Sequence, residues 1–167
     1  MVISPTWGHL TFSQMVEKIE NFVEDGDPED YRFIVGTDSQ VFQGPKALFV
    51  SAVIVHRIGK GAIYFYDKHL DIRKFGLEER MFTEVSHSLK IASRLLDEIQ
   101  VKSSSLCTNL PEIEIHIDVG HTGKTKELVN AVVGMVKGSG FSCQTKPHAC
   151  GASTVADRYT KTVSIAV

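Results

Sequence analysis

Two aspartates, Asp38 in VGTDS and Asp118 in HIDVG, each close a β-rich, apolar run. If those runs are neighbouring strands, the two carboxylates stand side by side. Like charges about 3–5 Å apart are costly unless they share a proton or a cation. A hard divalent ion removes the repulsion, and oxygen ligands are what magnesium prefers. Two further acids could complete such a set. Glu84 stands at the edge of the apolar stripe of a long helix, either as a solvated residue or as a third ligand. Asp157, in TVADRYTK, is either an ordinary first-turn charge or the fourth carboxylate of a two-metal site.

The stretch IHIDVGHTGKTK, residues 115–126, competes with this reading because it resembles a phosphate-binding loop. Gly123, Lys124 and Thr125 fit the end of G-x-x-x-x-G-K-[ST], but Asp118 occupies the place of the first glycine. A carboxylate there repels phosphate, and the missing glycine is the residue that permits the turn. Only one recognisable strand follows, and it holds no aspartate for magnesium. A P-loop-like nucleotide hydrolase is therefore the weaker rival. GHTGKT reads as a turn and helix start, with Lys124 either solvated or a point charge toward substrate phosphate.

The elements that must position these residues are legible from periodicity. Thr11 and Gln14 make a capping box, and Met15, Ile19, Phe22 and Val23 line one face of a helix that ends at DGDP. YRFIVGTDSQVF predicts a central strand ending near Asp38. ALFVSAVIVHR and AIYFYDKHL follow through the short connections QGPK and IGKG, so the three form an antiparallel meander. Residues 77–99 predict the longest helix, with a buried stripe of Leu77, Met81, Val85, Leu89, Ala92, Leu96 and Ile99. EIEIHID alternates as a strand with one buried face. A helix over 125–136, a strand over 141–145 and a final helix from near Ser153 complete the chain. The fold class is α/β: three antiparallel strands, then alternating helix and strand, in a mixed sheet with helices on its faces.

Composition bounds the rest. At 167 residues the chain suits one domain, with residues 1–30 as an N-terminal helical extension and 31–162 as the core. The net charge of −2 does not point to nucleic acid, yet metal ions can bridge an acidic site to phosphate. No window suits a membrane span, the N-terminus lacks signal-peptide character, and three widely spaced cysteines suit a reducing cytosol. The expectation is a cytoplasmic protein without membrane contact. Cys143, His148 and Cys150 match no standard zinc spacing.

VGTDSQ, the EVSHSL helix, IHIDVGHTGKTKELVNAVVGMVKGSGF and KPHACGASTVADRYTK together resemble the bacterial YkuK-like family of ribonuclease H-like nucleases. The element order is similar to a ribonuclease H fold with an added N-terminal helix. The resemblance implies an acidic centre around two divalent ions, Mg²⁺ or Mn²⁺. Asp38 matches the first-strand acid, Glu84 the first-helix acid, Asp118 the fourth-strand acid and Asp157 the late acid, although Glu78 and Glu79 lie near Glu84. His148 resembles the loop histidine that assists reaction or product release, with His121 as a second candidate. Lys146, Arg158 and Lys161 are the cations nearest the site, and no basic handle for hybrids is evident. The implied activity is phosphodiester hydrolysis leaving a 3′-hydroxyl and a 5′-phosphate, on RNA, an RNA/DNA hybrid or DNA. A non-catalytic nucleic-acid-binding module on the same scaffold is the alternative.

Overall fold

The computed structural model describes residues 1–23, 30–103, 106, 110–119, 126–149 and 151–161, the side chains of 126 and 151–153 excepted. In chain order the elements are β1 (Val2–Ser4), β2 (Gly8–Leu10), α1 (Phe12–Val23), β3 (Tyr31–Val41), β4 (Ala47–Arg57) and β5 (Gly61–Asp71). Then come α2 (Leu77–Lys102), β6 (Ile113–Ile117), α3 (Lys126–Gly138), β7 (Ser142–Thr145) and α4 (Gly151–Lys161).

The expected meander forms. β3, β4 and β5 pair antiparallel in sequence, and Gly59, at φ +72°, makes the tight link between the last two. The run ALFVSAVIV of β4 is buried on both faces, which is why it lacks polar alternation. β6 adds parallel to β3 and β7 parallel to β6, giving one seven-stranded mixed sheet in the order β2-β1-β5-β4-β3-β6-β7.

One sheet face carries the main core. Phe33 and Val35 of β3, Val53 and Val55 of β4 and Phe65 of β5 pack there against Met15 and Ile19 of α1, Val85, Leu95 and Ile99 of α2, and Val132 and Val136 of α3. On the other face α4 lies across β3 and β4, where Ala156 meets Leu48, Val50 and Ala52. The capping box at α1 is present: Gln14 N donates to Thr11 Oγ1 at 3.2 Å, and Thr11 N donates to Gln14 Oε1 at 2.9 Å.

Four expectations need correction. The first thirty residues are not only helical, because Val2–Ser4 and Gly8–Leu10 form a hairpin that extends the sheet beside β5. These strands are too short for alternation to reveal. β3 does not end near Asp38 but runs on to Val41, since Asp38 pairs with Val50 inside the β3–β4 ladder. In α2 it is Leu95 that is fully buried, while Leu77 is 60% exposed. The polar side of β6 is covered too: His116 is buried, with Nε2 3.4 Å from Glu114 Oε2. No helix is long and apolar enough to cross a membrane among the described residues.

Leu95 therefore tests the packing of α2 on the sheet. Leu95→Ala should lower unfolding free energy by about 2–5 kcal/mol, the usual result of emptying a filled core site, read by urea denaturation.

Candidate active site

The parallel ladder between β3 and β6 pairs Gly36 with His116. Two residues further along, the same register sets Asp38 abreast of Asp118, one position beyond the end of β6. Adjacent strands lie about 4.8 Å apart, so the two carboxylates begin from neighbouring backbones. Glu84 comes from a different layer, on α2. Asp38, Glu84 and Asp118 line one cavity of about 140 Å³, together with Leu77, Arg80, Met81 and Val119.

Hydroxyl groups tie the acids to the fold. Ser39 Oγ donates to Glu84 Oε1 at 2.5 Å. Thr160, buried on α4, donates from Oγ1 to Asp38 Oδ2 at 2.7 Å. Beneath them, the hydroxyls of Thr37 and Ser51 are 2.8 Å apart, and Ser88 Oγ lies 2.9 Å from Thr37 Oγ1. That buried chain links β4, β3 and α2 and sets the height of Glu84 above the sheet.

Asp157 stands on α4. It does not line the cavity, but its charge reaches Asp38 and helps to raise that carboxyl. Its Oδ2 is 2.7 Å from Lys161 Nζ, while Asp118 Oδ1 is 2.7 Å from Lys146 Nζ. The second contact brings charge together without hydrogen-bond geometry, so the buried Asp118 Oδ1 accepts no hydrogen bond. Both lysines, expected to face substrate, thus rest against acids, and both are more than half exposed. Exposed pairs of this kind contribute little to stability and exchange readily.

Crowded carboxylates resist ionisation. Burial pushes the Glu84 carboxyl up to about 7; the Ser39 hydrogen bond and Arg80 oppose this, while the charges of Asp38 and Asp118 add to it. Burial also raises Asp38, against the Thr160 hydrogen bond. Asp157 raises Lys161 through its hydrogen bond and charge.

These residues fit a hard divalent cation by chemistry. The donors are all carboxylate oxygens, they share a cavity, and one buried oxygen accepts no hydrogen bond. Among the described residues, no three His, Cys, Asp or Glu groups stand close enough together to hold a metal ion.

Of the other expected residues, His148 is an exposed loop residue whose N–H donates to the Thr145 carbonyl oxygen at 2.9 Å. Arg158 is exposed on α4. Glu78 and Glu79 are exposed in the first turn of α2 and line a separate surface pocket with Arg73, so Glu84 is the helix acid in the cavity. Lys124, His121 and Cys150 lie outside the described residues. Sequence reasoning missed Ser39 and Thr160, although each had a signal. Ser39 adjoins Asp38, and Thr160 follows Asp157 by three residues on one helix.

The profile of the family described as "Ribonuclease H-like" matches residues 14–161. The chain belongs to the ribonuclease H-like family. A relative in Bacillus subtilis (strain 168), named "Uncharacterized protein YkuK", is 30% identical over 159 residues, covering 91% of this chain and 92% of that protein. The YkuK-like resemblance in the sequence therefore holds along nearly the whole domain. No solved structure matches the chain. The family match takes in β3, α2, α4 and the residue just after β6, and so all four acids.

Glu84 makes the cation-free protein sensitive to pH. It ionises near 4.5 when unfolded but near 7 when folded, so between those values the folded chain binds more protons. Stability should fall as pH rises from 4.5 to about 7, then level off. Thermal melts in chelator should show that slope, and Glu84→Gln should flatten it, gaining up to about 3 kcal/mol above pH 7.

Proposed function

We propose that this protein is a divalent-metal-dependent nuclease that hydrolyses phosphodiester bonds in nucleic acid. The observation that carries the reading is the meeting of Asp38, Asp118 and Glu84, from three elements, on one cavity of a ribonuclease H-like domain. Asp38 and Asp118 would hold the cations centrally, with Glu84 and Asp157 on either side. Two Mg²⁺ or Mn²⁺ ions, when bound, would supply charge neutralisation at the phosphate and a more acidic water.

The chain's own residues have separate tasks. Thr160 holds Asp38 in one rotamer, and Ser39 holds Glu84, so both acids are aimed before substrate arrives. Lys146, now against Asp118, and Lys161, now against Asp157, would turn to non-bridging phosphate oxygens once those acids hold cations. Arg158 on α4 would be a further contact, and Lys124 another cation for substrate. His148, two residues after Lys146 and exposed, would move a proton near the leaving oxygen. The products would carry a 3′-hydroxyl and a 5′-phosphate.

A non-catalytic nucleic-acid-binding module on this scaffold is the second reading. The four acids at their matched positions favour the enzyme, because a module that only binds phosphate gains nothing from concentrated negative charge. The P-loop reading is weaker still, since Asp118 lines the acidic cavity in the place of the loop's first glycine.

Labelled RNA, DNA and hybrid substrates should be cut by the wild type with Mg²⁺ or Mn²⁺ and left intact in chelator. Asp38→Asn should reduce cleavage at least about a hundredfold, the scale on which loss of a metal ligand acts through electrostatic stabilisation. Undiminished cleavage by that variant, or none by the wild type on any substrate, removes the hydrolase reading.

A further inference from the structure

The face of the sheet that bears Asp38 continues past α4 onto β5, and three tyrosines and a lysine gather there. Asp38 pairs with Val50, and Val50 pairs with Lys68, so Lys68 lies in the same cross-strand row. Two strand spacings separate it from Asp38, about 10 Å. One step back along the same face of β5 stands Tyr66, and a further step back is Tyr64.

α4 packs over β3 and β4, and its Tyr159 reaches across to β5. The Tyr159 ring stacks on Tyr66 with centroids 3.8 Å apart and planes 14° from parallel. Its hydroxyl oxygen is 3.0 Å from that of Tyr64. Lys68 Nζ sits 5.6 Å from the Tyr66 centroid and 5.7 Å from the Tyr159 centroid, and Lys68 is exposed. Among the described residues Lys68 makes no ion pair within 4.0 Å. Arg158, the neighbour of Tyr159 in sequence, is near enough for its charge to act on the Tyr159 phenol.

A packing seal between α4 and β5 would require the rings alone. Here an exposed ammonium is held at the edge of a stacked aromatic pair, in line with the acids. Base stacking on aromatic rings and a cation on the backbone is how proteins hold single strands without reading sequence. In a duplex the base faces are already stacked on one another, so tyrosine rings offer them nothing. We propose that Tyr66, Tyr159 and Lys68 form a platform for an unpaired segment of nucleic acid, placed next to the phosphate at the acidic centre. This rests on the nucleic-acid reading above and refines it: the strand beside the cut site is single-stranded.

The platform is tested by binding, apart from cleavage. Fluorescence anisotropy is measured in chelator with short labelled single strands of RNA and DNA and with the matching duplexes. The full-length wild type is compared with Lys68→Ala, Tyr66→Leu, Tyr66→Phe and Lys60→Ala, the last a distant exposed lysine in the β4–β5 turn. The wild type should prefer single strands. Tyr66→Leu should weaken that binding about tenfold or more, and Tyr66→Phe, which keeps the ring, should restore it. Lys68→Ala should weaken it and shrink the salt dependence by about 0.7 in slope, with an unchanged melting temperature and with Lys60→Ala as wild type. Equal affinity of Lys68→Ala and wild type for single strands overturns the platform, as does a wild-type preference for duplex. Platform variants that bind normally while Asp38→Asn fails to cleave leave the nuclease standing without the platform. Lost binding with no cleavage by any form leaves the platform standing without the nuclease.

Discussion

The parallel pairing of β3 with β6 is the constraint on which the site depends. Carried two residues past its last pair, Gly36 with His116, its register brings Asp38 level with Asp118 on neighbouring backbones, and both carboxylates line one cavity. Thr160 and Ser39 bind carboxylate oxygens of Asp38 and Glu84, and Lys146 and Lys161 rest against Asp118 and Asp157. Burial above all, with the charges of Asp38 and Asp118 adding to it, drives Glu84 toward its neutral form. A fold that needed only stability would place apolar residues at these positions; the acids are held against their own electrostatics.

The two layers of helix enter the site differently. α2 is fixed from below by a wide apolar seam and by the buried hydroxyls of Ser88, Thr37 and Ser51, so Glu84 is positioned by packing over many residues. α4 has a smaller seam, with Ala156 on Leu48, Val50 and Ala52, and it delivers Thr160 and Asp157 from the opposite face. Its far side delivers Tyr159 to β5. One short helix thus joins the acidic centre to the aromatic surface, and a shift of α4 would be felt at both.

Much of this was legible beforehand because it is local. The capping box of α1, the three-strand meander, the amphipathic stripe of α2 and the alternation in β6 all follow from periods of 2 and 3.6 and from turn residues. The candidate acids were recognisable by their positions near strand ends and on a helix. Other features were not local. The N-terminal hairpin is three residues per strand and has no pattern of its own. Leu77 continues the apolar period of α2, but it stands in the helix's first turn at the rim of the acidic cavity and is mostly exposed. Lys146 and Lys161 were foreseen as cations near the site, but their resting contacts depend on where β7 and α4 dock.

By itself, the sequence determined the elements from α1 onward, the α/β class and the candidate acids, since short-range periodicity and residue chemistry are properties of the chain. Only the tertiary structure decided that Asp38 lies within a strand and abreast of Asp118, and that Glu84 rather than Glu78 or Glu79 reaches the cavity. It alone placed Lys68 in the cross-strand row of Asp38 and brought Tyr159 onto Tyr66 beside it. Strand register and helix docking arise from contacts between residues distant in sequence. A displacement of one residue in a strand reverses the face on which a side chain stands.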